Sequence, residues 1–232
     1  MKQGLTIQAE DGNFQCYVAR PASAAAAPVI VVLQEIFGVN AGIRSIADSY
    51  AAQGYIAVAP DLFWRAEAGL DMSEAVEGDW TKGFALYNAY DFDKGVRDIA
   101  ATVAAARGLE GANGKVAVTG YCLGGLLTYL SAARGSADAF VAYYGGGTEQ
   151  YAGEAAKVAD PLLYHLAAED EYISKDAQAI INAALGANPN IELHTYPGCN
   201  HAFARPGGNH YDEAAATLAN GRTAAFFKQH LS

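Results

Sequence analysis

A cysteine lies within the glycine-rich stretch GYCLGG, residues 120–125, where it could act as a nucleophile. An apolar run over residues 116–118 precedes this stretch, and leucines at helical spacing follow it at positions 126, 127 and 130. Strand, glycine-flanked turn and helix in this order is the context of a nucleophile elbow, since glycine permits the sharp turn. A helix N-terminus favours a thiolate, which is the attacking form of cysteine. The stretch therefore predicts Cys122 as a nucleophile.

An acid and a histidine follow Cys122 at the ends of two later predicted strands. Asp170 comes just after the strand predicted over residues 161–166, and His201 comes just after the one over 191–196. The chain order nucleophile, acid, histidine is that of the α/β-hydrolase triad. In such a triad His201 takes the thiol proton and later protonates the leaving group, while Asp170 fixes the tautomer of the imidazole.

Acyl transfer by such a triad also needs backbone amides that stabilise an oxyanion. One donor is expected to be the amide of the residue after the nucleophile, which is Leu123. The other is expected in the loop after an earlier strand. The stretch QEIFG at residues 34–38 follows such a strand, so the amide of Ile36 is the second predicted donor.

Each member of the triad also has a simpler interpretation when it is considered alone. Cys122 could be a buried inert thiol, Asp170 a helix cap near Ser174, and His201 an ordinary loop residue. The triad is favoured because three required residue types occur in the required order at the ends of three strands. No closely spaced ligand pair supports a metal site, so neither a metal nor a cofactor is predicted.

Predicted strands and helices alternate along the chain and define the frame that positions these residues. Alternating runs on both sides of Asp11-Gly12 predict an N-terminal antiparallel hairpin. The sequence predicts an α/β fold with a mostly parallel eight-stranded sheet, helices on both faces and one domain over residues 1–232. The predicted strands cover residues 5–9, 13–20, 29–33, 55–59, 115–119, 140–144, 161–166 and 191–196. The predicted helices lie around residues 43–50, 96–108, 123–134, 174–185 and 210–230, and residues 62–90 are expected to be less regular.

Composition and charge limit the classes of partner and of compartment. The 232 residues are 52% hydrophobic and 17% charged, which is typical of a globular chain. A net charge of −10 argues against nucleic acid or an anionic membrane, because both attract a basic surface. The most apolar window, residues 22–33, contains Pro28 and is too short to span a membrane. An odd, sparse set of 3 cysteines predicts free thiols in a reducing compartment, so a cytoplasmic protein, and a monomer, is expected.

Four stretches carry a resemblance to a known family: QEIFGVN at 34–40, APDL at 59–62, GYCLGG at 120–125 and HAFAR at 201–205. In these stretches, and over nearly its whole length, the chain resembles the dienelactone hydrolase (carboxymethylenebutenolidase) family of cysteine-dependent α/β-hydrolases. The resemblance implies that Glu35 controls the protonation of the nucleophile, because substrate binding shifts this glutamate and lets it take the thiol proton. Without the resemblance, Glu35 is expected to be a salt-bridged carboxylate with Arg205 as its partner.

The resemblance also implies a dienelactone substrate whose free carboxylate is held by two arginines. Arg205 matches one of them, whereas Trp80 stands at the position of the other, with Arg65 as an alternative candidate. One lost charge-assisted contact would weaken binding by about 1.5–3 kcal/mol, and an indole would offer an apolar wall instead. The serine that follows the histidine in the family is replaced by Ala202. The predicted substrate-binding residues are Arg205, Trp80, Phe84, Tyr87 and Tyr144.

The predicted triad indicates a hydrolase with an acyl-enzyme on Cys122, and the resemblance implies an enzyme of aromatic-compound breakdown that hydrolyses dienelactone (4-carboxymethylenebut-2-en-4-olide) to maleylacetate. A less anionic lactone or ester is the alternative substrate. A non-catalytic small-molecule binding protein on the same fold is the alternative function. A thiol redox protein is disfavoured because the chain has no Cys-x-x-Cys pair.

Overall fold

The computed structural model of this chain describes residues 4–23 and 25–232. The strands of this part are β1 (Leu5–Ala9), β2 (Gly12–Ala19), β3 (Ala27–Leu33), β4 (Ile56–Pro60), β5 (Ala112–Tyr121), β6 (Ala139–Tyr143), β7 (Leu162–Ala167) and β8 (Ile191–Tyr196). Its α-helices are α1 (Ala41–Ala52), α2 (Glu77–Asn88), α3 (Phe92–Arg107), α4 (Leu123–Arg134), α5 (Lys175–Leu185) and α6 (Glu213–His230), and a 3-10 segment covers Thr148–Lys157.

The strands form one eight-stranded sheet in the order β1-β2-β4-β3-β5-β6-β7-β8. Strand β3 runs parallel to β4, and β7 runs parallel to both β6 and β8. The N-terminal pair β1–β2 and the pair β2–β4 are antiparallel. The predicted mostly parallel sheet with an N-terminal hairpin is therefore confirmed. Contacts within the chain define two compact units, one up to Val118 and one from Thr119 onwards, and the single domain stays a prediction.

Strand β3 of the first unit lies between β4 and β5. The apolar run over residues 29–33 has no exposed surface, as expected of a strand that is covered on both faces. The hairpin closes where Ala9 pairs with Gly12. Helix α3 begins at Asp91, whose side chain accepts the backbone N–H of Lys94 as an N-cap. The apolar run of β3 and the N-cap of α3 are thus local sequence signals that agree with the observed strand and helix.

Helix α2 lies in the stretch that was expected to be less regular. Only Gly83 of its twelve residues is buried, so no apolar stripe marks one face of this helix in the sequence. A Cβ atom at Gly83 would lie 3.0 Å from the carbonyl oxygen of Ile36. Glycine therefore lets the backbone of α2 approach the loop that follows β3, and this close packing is what the sequence pattern does not reveal.

The second unit is built on the end of β5 and on strands β6 to β8. Helix α4 is buried at every residue from Leu123 to Ala133, because the sheet and the 3-10 segment cover it. Strand β5 begins at Ala112, three residues before the predicted start, because Asn113 and Gly114 hide its beginning in the sequence. Gly114 adopts a φ of 89°, a conformation that favours glycine.

A chain of buried hydrogen bonds attaches α6 to the sheet of this unit. The fully buried His165 of β7 lies 2.8 Å from the Tyr196 hydroxyl through Nδ1 and 3.0 Å from the Thr223 hydroxyl through Nε2. Thr223 in turn lies 2.6 Å from the Tyr143 hydroxyl, and Arg222 donates to Tyr196 at 3.0 Å. We call these five side chains the α6 anchor. It joins three strands to one helix through side chains that are far apart in the sequence.

Candidate active site

The predicted elbow is present in the second unit. Cys122 follows β5 directly, is half-buried, and has φ 55° and ψ −114°, a strained conformation for a residue with a side chain. The amides of Gly125 and Leu126 donate to its carbonyl oxygen and begin α4. Its own amide donates to the carbonyl oxygen of Tyr143 at 3.1 Å. The thiol therefore lies at a sharp turn at the N-terminus of a buried helix, as the sequence predicts.

The glycines of this stretch are required by close backbone approaches. A Cβ atom at Gly120 would lie 2.2 Å from the carbonyl oxygen of Gly124. A Cβ atom at Gly125 would lie 2.2 Å from the carbonyl oxygen of Tyr143 and 3.0 Å from the Cα of Gly145. A separation of 2.2 Å is not possible between these atoms, so a side chain at Gly120 would displace α4 from β5, and one at Gly125 would displace it from β6.

Asp170 and His201 form a buried pair in the same unit. The Nδ1 atom of His201 lies 2.8 Å from Oδ2 and 3.0 Å from Oδ1 of Asp170. The Oδ1 atom also accepts the backbone N–H groups of Tyr172, at 2.9 Å, and Ile173, at 3.2 Å. The carboxylate is therefore held by its own loop as well as by the imidazole, which fixes Nδ1 as the protonated nitrogen of the neutral ring.

The other ring nitrogen of His201 is available for proton transfer. Nε2 is buried and has no hydrogen-bond partner among the described residues. Burial lowers the pKa of His201 and is the largest single effect, but the charges of Cys122 and Asp170 outweigh it and raise this pKa to about 10. Cys122 therefore acts electrostatically on the imidazole of His201. This arrangement can take a proton from a thiol and hold it as an imidazolium.

Two further residues that sequence reasoning missed complete this part of the site. The Oδ1 atom of Asn200 accepts the backbone N–H of His201 at 2.6 Å and that of Glu171 at 3.0 Å, so it connects the loops after β7 and β8. The ring of Tyr172 packs edge-on against His201, with 4.9 Å between ring centroids. Both lie within two residues of a triad member, which is the one signal that could have pointed to them.

Tyr144, which the sequence analysis assigned to substrate binding, lies behind the histidine. Its side chain has no exposed surface, and its ring centroid is 5.0 Å from that of His201. Its φ of 38° is unusual for a tyrosine and turns the chain sharply after β6. Because its side chain is fully buried, we interpret Tyr144 as a support of His201, and its predicted role in substrate binding stays a prediction.

The first unit holds the other predicted site residues around the loop after β3. Glu35 and Ile36 are buried there. Trp80 of α2 packs edge-on against Phe37 of this loop at 4.9 Å, and its indole N–H donates to the carbonyl oxygen of Glu74. Phe84 lies 5.9 Å from Trp80, and Tyr87 is half-buried further along α2. Helix α2 thus presents an aromatic surface next to the loop that carries the predicted oxyanion donor.

The two candidate arginines differ in their surroundings. The guanidinium of Arg65 binds both Asp11 and Asp98 of its own unit, and its plane stacks over Trp64 at 4.3 Å. These carboxylates occupy its donors, so Arg65 is a structural ion pair of the first unit. Arg205 belongs to the second unit, where it is half-buried and donates its backbone N–H to Ala202. Its role as the ligand of a substrate carboxylate, which the resemblance implies, stays a prediction.

The remaining cysteines and histidines have structural surroundings. Cys16 and Cys199 are buried and free, and burial raises the pKa of both thiols, so the prediction of free thiols is confirmed. Within residues 4–23 and 25–232, no group of three His, Cys, Asp or Glu side chains could hold a metal ion. Across the same residues, each helix is too short or too polar to cross a membrane.

The chain is similar to known proteins in sequence and in fold. The model of the dienelactone hydrolase family matches residues 14–231. A protein of Azospirillum brasilense is 46% identical over 222 residues, which is 96% of each chain. The carboxymethylenebutenolidase of Pseudomonas putida is 40% identical over 227 residues, 97% of this chain and 96% of its own. A solved structure from Klebsiella pneumoniae covers 98% of both chains at 29% identity, with a TM-score of 0.85.

Proposed function

The chain belongs to the dienelactone hydrolase family of α/β-hydrolases, and we propose that it hydrolyses a small lactone or ester through an acyl intermediate on Cys122. One observation carries this proposal. The imidazole of His201 is held at Nδ1 by Asp170, and its buried Nε2 has no partner among the described residues but lies within the electrostatic reach of the elbow cysteine. A thiol nucleophile requires such a base, with one ring nitrogen held in place and the other able to accept the thiol proton.

The first half of the proposed reaction forms a thioester. The sulfur of Cys122 attacks the carbonyl carbon, and its proton passes to Nε2 of His201. The amide of Leu123, at the start of α4, stabilises the oxyanion together with the amide of Ile36. The carbon–oxygen bond of the ester or lactone then breaks, and the leaving oxygen departs as an enolate or takes the proton back from His201.

The second half releases the acid. His201 takes a proton from a water molecule, whose oxygen attacks the thioester carbon, and the sulfur leaves as the carbon–sulfur bond breaks. Asp170 stabilises the imidazolium in both halves without accepting its proton. For dienelactone the product is maleylacetate. The family resemblance suggests an alternative first step, in which Glu35 instead of His201 takes the thiol proton when substrate is bound and the leaving oxygen departs as an enolate. Such control would protect the thiol from oxidation between turnovers.

Two substrate classes fit the proposal, and they differ in charge. Arg205 favours a substrate with a carboxylate, such as dienelactone itself. Trp80 stands where the family has a second arginine, and Arg65 cannot replace it because Asp11 and Asp98 occupy its guanidinium. This observation favours a less anionic lactone or ester as the second candidate, since an indole surface packs well against apolar groups.

Hydrolysis of dienelactone and of p-nitrophenyl acetate tests the proposal directly. Wild type is compared with Cys122→Ala and with Cys199→Ala, which removes a buried thiol away from the elbow and serves as the matched control. We expect turnover by wild type and by Cys199→Ala, and none by Cys122→Ala. Equal rates in Cys122→Ala and wild type would refute a thiol nucleophile, and no turnover by wild type would leave only the binding-protein alternative.

A second comparison tests the specificity argument. Trp80→Arg is expected to raise the preference for dienelactone over the neutral ester by roughly 10-fold or more, because one charge-assisted contact is worth about 1.5–3 kcal/mol. Trp80→Phe, which keeps an aromatic ring without a charge, is the matched control. An unchanged preference in Trp80→Arg would contradict the assignment of this position.

A further inference from the structure

Tyr172 is an exposed residue in direct contact with the candidate histidine. Its ring stands nearly perpendicular to that of His201, at 85°, with 4.9 Å between centroids, and 46% of the residue is exposed. Tyr144 contacts the same imidazole at 5.0 Å but is fully buried. His201 is therefore covered by two tyrosines, one that belongs to the core and one that reaches solvent.

The backbone of Tyr172 holds its ring in a defined place. Its N–H donates to Oδ1 of Asp170 at 2.9 Å, within a turn that also includes the N–H of Ile173. The preceding residue, Glu171, donates its N–H to Asn200, the residue before His201. Helix α5 begins shortly afterwards, with Ser174 as its N-cap. The same hydrogen bonds that orient Asp170 thus fix the ring of Tyr172 over the imidazole.

Part of the Tyr172 side chain reaches solvent beside His201. The residue is 46% exposed although its ring contacts the buried imidazole, and its backbone N–H binds Asp170, the partner of Nδ1. The ring of Tyr172 therefore lies between His201 and solvent. Burial raises the pKa of Tyr172, and the charges of Glu171, Cys122 and Asp170 raise it further, while Arg205 lowers it.

The acyl part and the leaving group of a bound ester must lie at different places in this site. The acyl carbon must lie at the sulfur of Cys122, whereas the leaving oxygen must come within hydrogen-bond distance of Nε2 of His201. A ring that covers His201 and also reaches solvent borders the second of these positions. We propose that the exposed face of Tyr172 forms the wall for the leaving group and determines selectivity for the alcohol part of the ester. This inference rests on the proposed function.

Two series of esters separate the two ends of the substrate. One series keeps the acetyl group and varies the alcohol from methanol to phenol to naphthol, and the other keeps p-nitrophenol and varies the acyl chain. Both are measured with wild type, Tyr172→Phe, Tyr172→Ala and Tyr211→Ala, which removes a similarly exposed tyrosine of the same unit. Turnover by wild type and its loss in Cys122→Ala establish the reaction before the tyrosine variants are compared.

We expect Tyr172→Ala to reduce the preference for aromatic over aliphatic alcohols by roughly 3- to 10-fold, the range of one aromatic contact. The preference among acyl chains should stay within about twofold, as should both preferences in Tyr172→Phe and Tyr211→Ala. An unchanged alcohol preference in Tyr172→Ala would overturn the proposal. So would a loss in Tyr172→Phe equal to that in Tyr172→Ala, or an equal fall in both preferences, which would show a general structural effect. Absence of turnover in wild type would overturn the proposed function and this inference together.

Discussion

Replacing Asp170 with asparagine tests how the imidazole is oriented, because only one carboxylate oxygen accepts backbone hydrogen bonds. Oδ1 accepts the N–H groups of Tyr172 and Ile173 and lies 3.0 Å from Nδ1 of His201, whereas Oδ2 lies nearer to Nδ1, at 2.8 Å. In Asp170→Asn the amide oxygen should keep the Oδ1 position. Turning the NH₂ group towards these amides would leave two donors without an acceptor, at a cost of about 1–3 kcal/mol each. The NH₂ group of the new side chain therefore faces Nδ1.

An NH₂ group beside Nδ1 forces this nitrogen to accept a hydrogen bond, so the proton of the neutral ring moves to Nε2. Nε2 then has no lone pair with which to accept the proton of Cys122. A tautomer change of this kind lowers kcat by about 10⁴-fold in a serine-type triad. We expect kcat/KM for p-nitrophenyl acetate to fall by about 10³- to 10⁴-fold, which is about 4–5.5 kcal/mol of transition-state stabilisation.

The assay compares Asp170→Asn with Asp176→Asn, which makes the same change at an exposed position in the first turn of α5. Urea unfolding of both variants shows whether the fold is retained, as the two preserved backbone hydrogen bonds of Asp170→Asn lead us to expect. A fall of less than tenfold in kcat/KM would refute the role of Asp170 in orienting the base. The same conclusion would follow if Asp176→Asn lost as much activity.

Further predictions concern stability and its dependence on pH. Gly125→Ala should lower the free energy of unfolding in urea by about 1–3 kcal/mol or more, because its Cβ would meet a carbonyl oxygen of β6. By contrast, Gly221→Ala in the open part of α6 should raise it by up to about 1 kcal/mol. Thr223→Val should cost about 1–3 kcal/mol, since two buried groups of the α6 anchor each lose a partner, and Thr223→Ser should restore most of this stability. Because the native state raises the pKa of His201 to about 10, the proton on this histidine stabilises the native state fully below pH 6.5, and this stabilisation is lost as pH rises to about 10. The free energy of unfolding should therefore fall over this interval, and it should fall less in Cys122→Ala.

The sequence was sufficient for the residues that occupy strand ends. Cys122 follows β5 directly, and Asp170 and His201 lie in the short loops after β7 and β8. The carboxyl ends of parallel strands lie at one edge of a sheet, so the order of these residues along the chain predicts their place in the fold. The sequence could not show that Tyr144 is fully buried, since this depends on the rings that pack around it.

Features that depend on contacts between distant residues were missed. Helix α2 has no apolar stripe because it rests on the glycine at position 83 and not on a row of large side chains. Asn200 accepts the backbone N–H of Glu171, a residue 29 positions earlier in the chain, and thereby connects two loops. No local sequence pattern predicts such a bond. The ion pairs of Arg65 with Asp11 and Asp98 span 54 and 33 residues. Periodicity describes the faces of single elements, whereas these interactions join several elements.

The α6 anchor has a fixed direction of hydrogen bonding, and this direction makes it sensitive to acid. Two hydrogen bonds at the ends of the anchor have a fixed direction: Arg222 can only donate to Tyr196, and Tyr143 donates to Oδ1 of Asn220. Between these ends, Tyr196 donates to His165 and His165 donates to Thr223, so that every hydroxyl proton of the anchor is used. His165 is then neutral, and burial holds its pKa well below the ordinary value. A second proton on its ring would point at the hydroxyl proton of Tyr196, beside the cation of Arg222. Protonation in acid therefore requires the anchor to open, so the attachment of the C-terminal helix should be lost as pH falls below the ordinary histidine range, independently of the chemistry at Cys122.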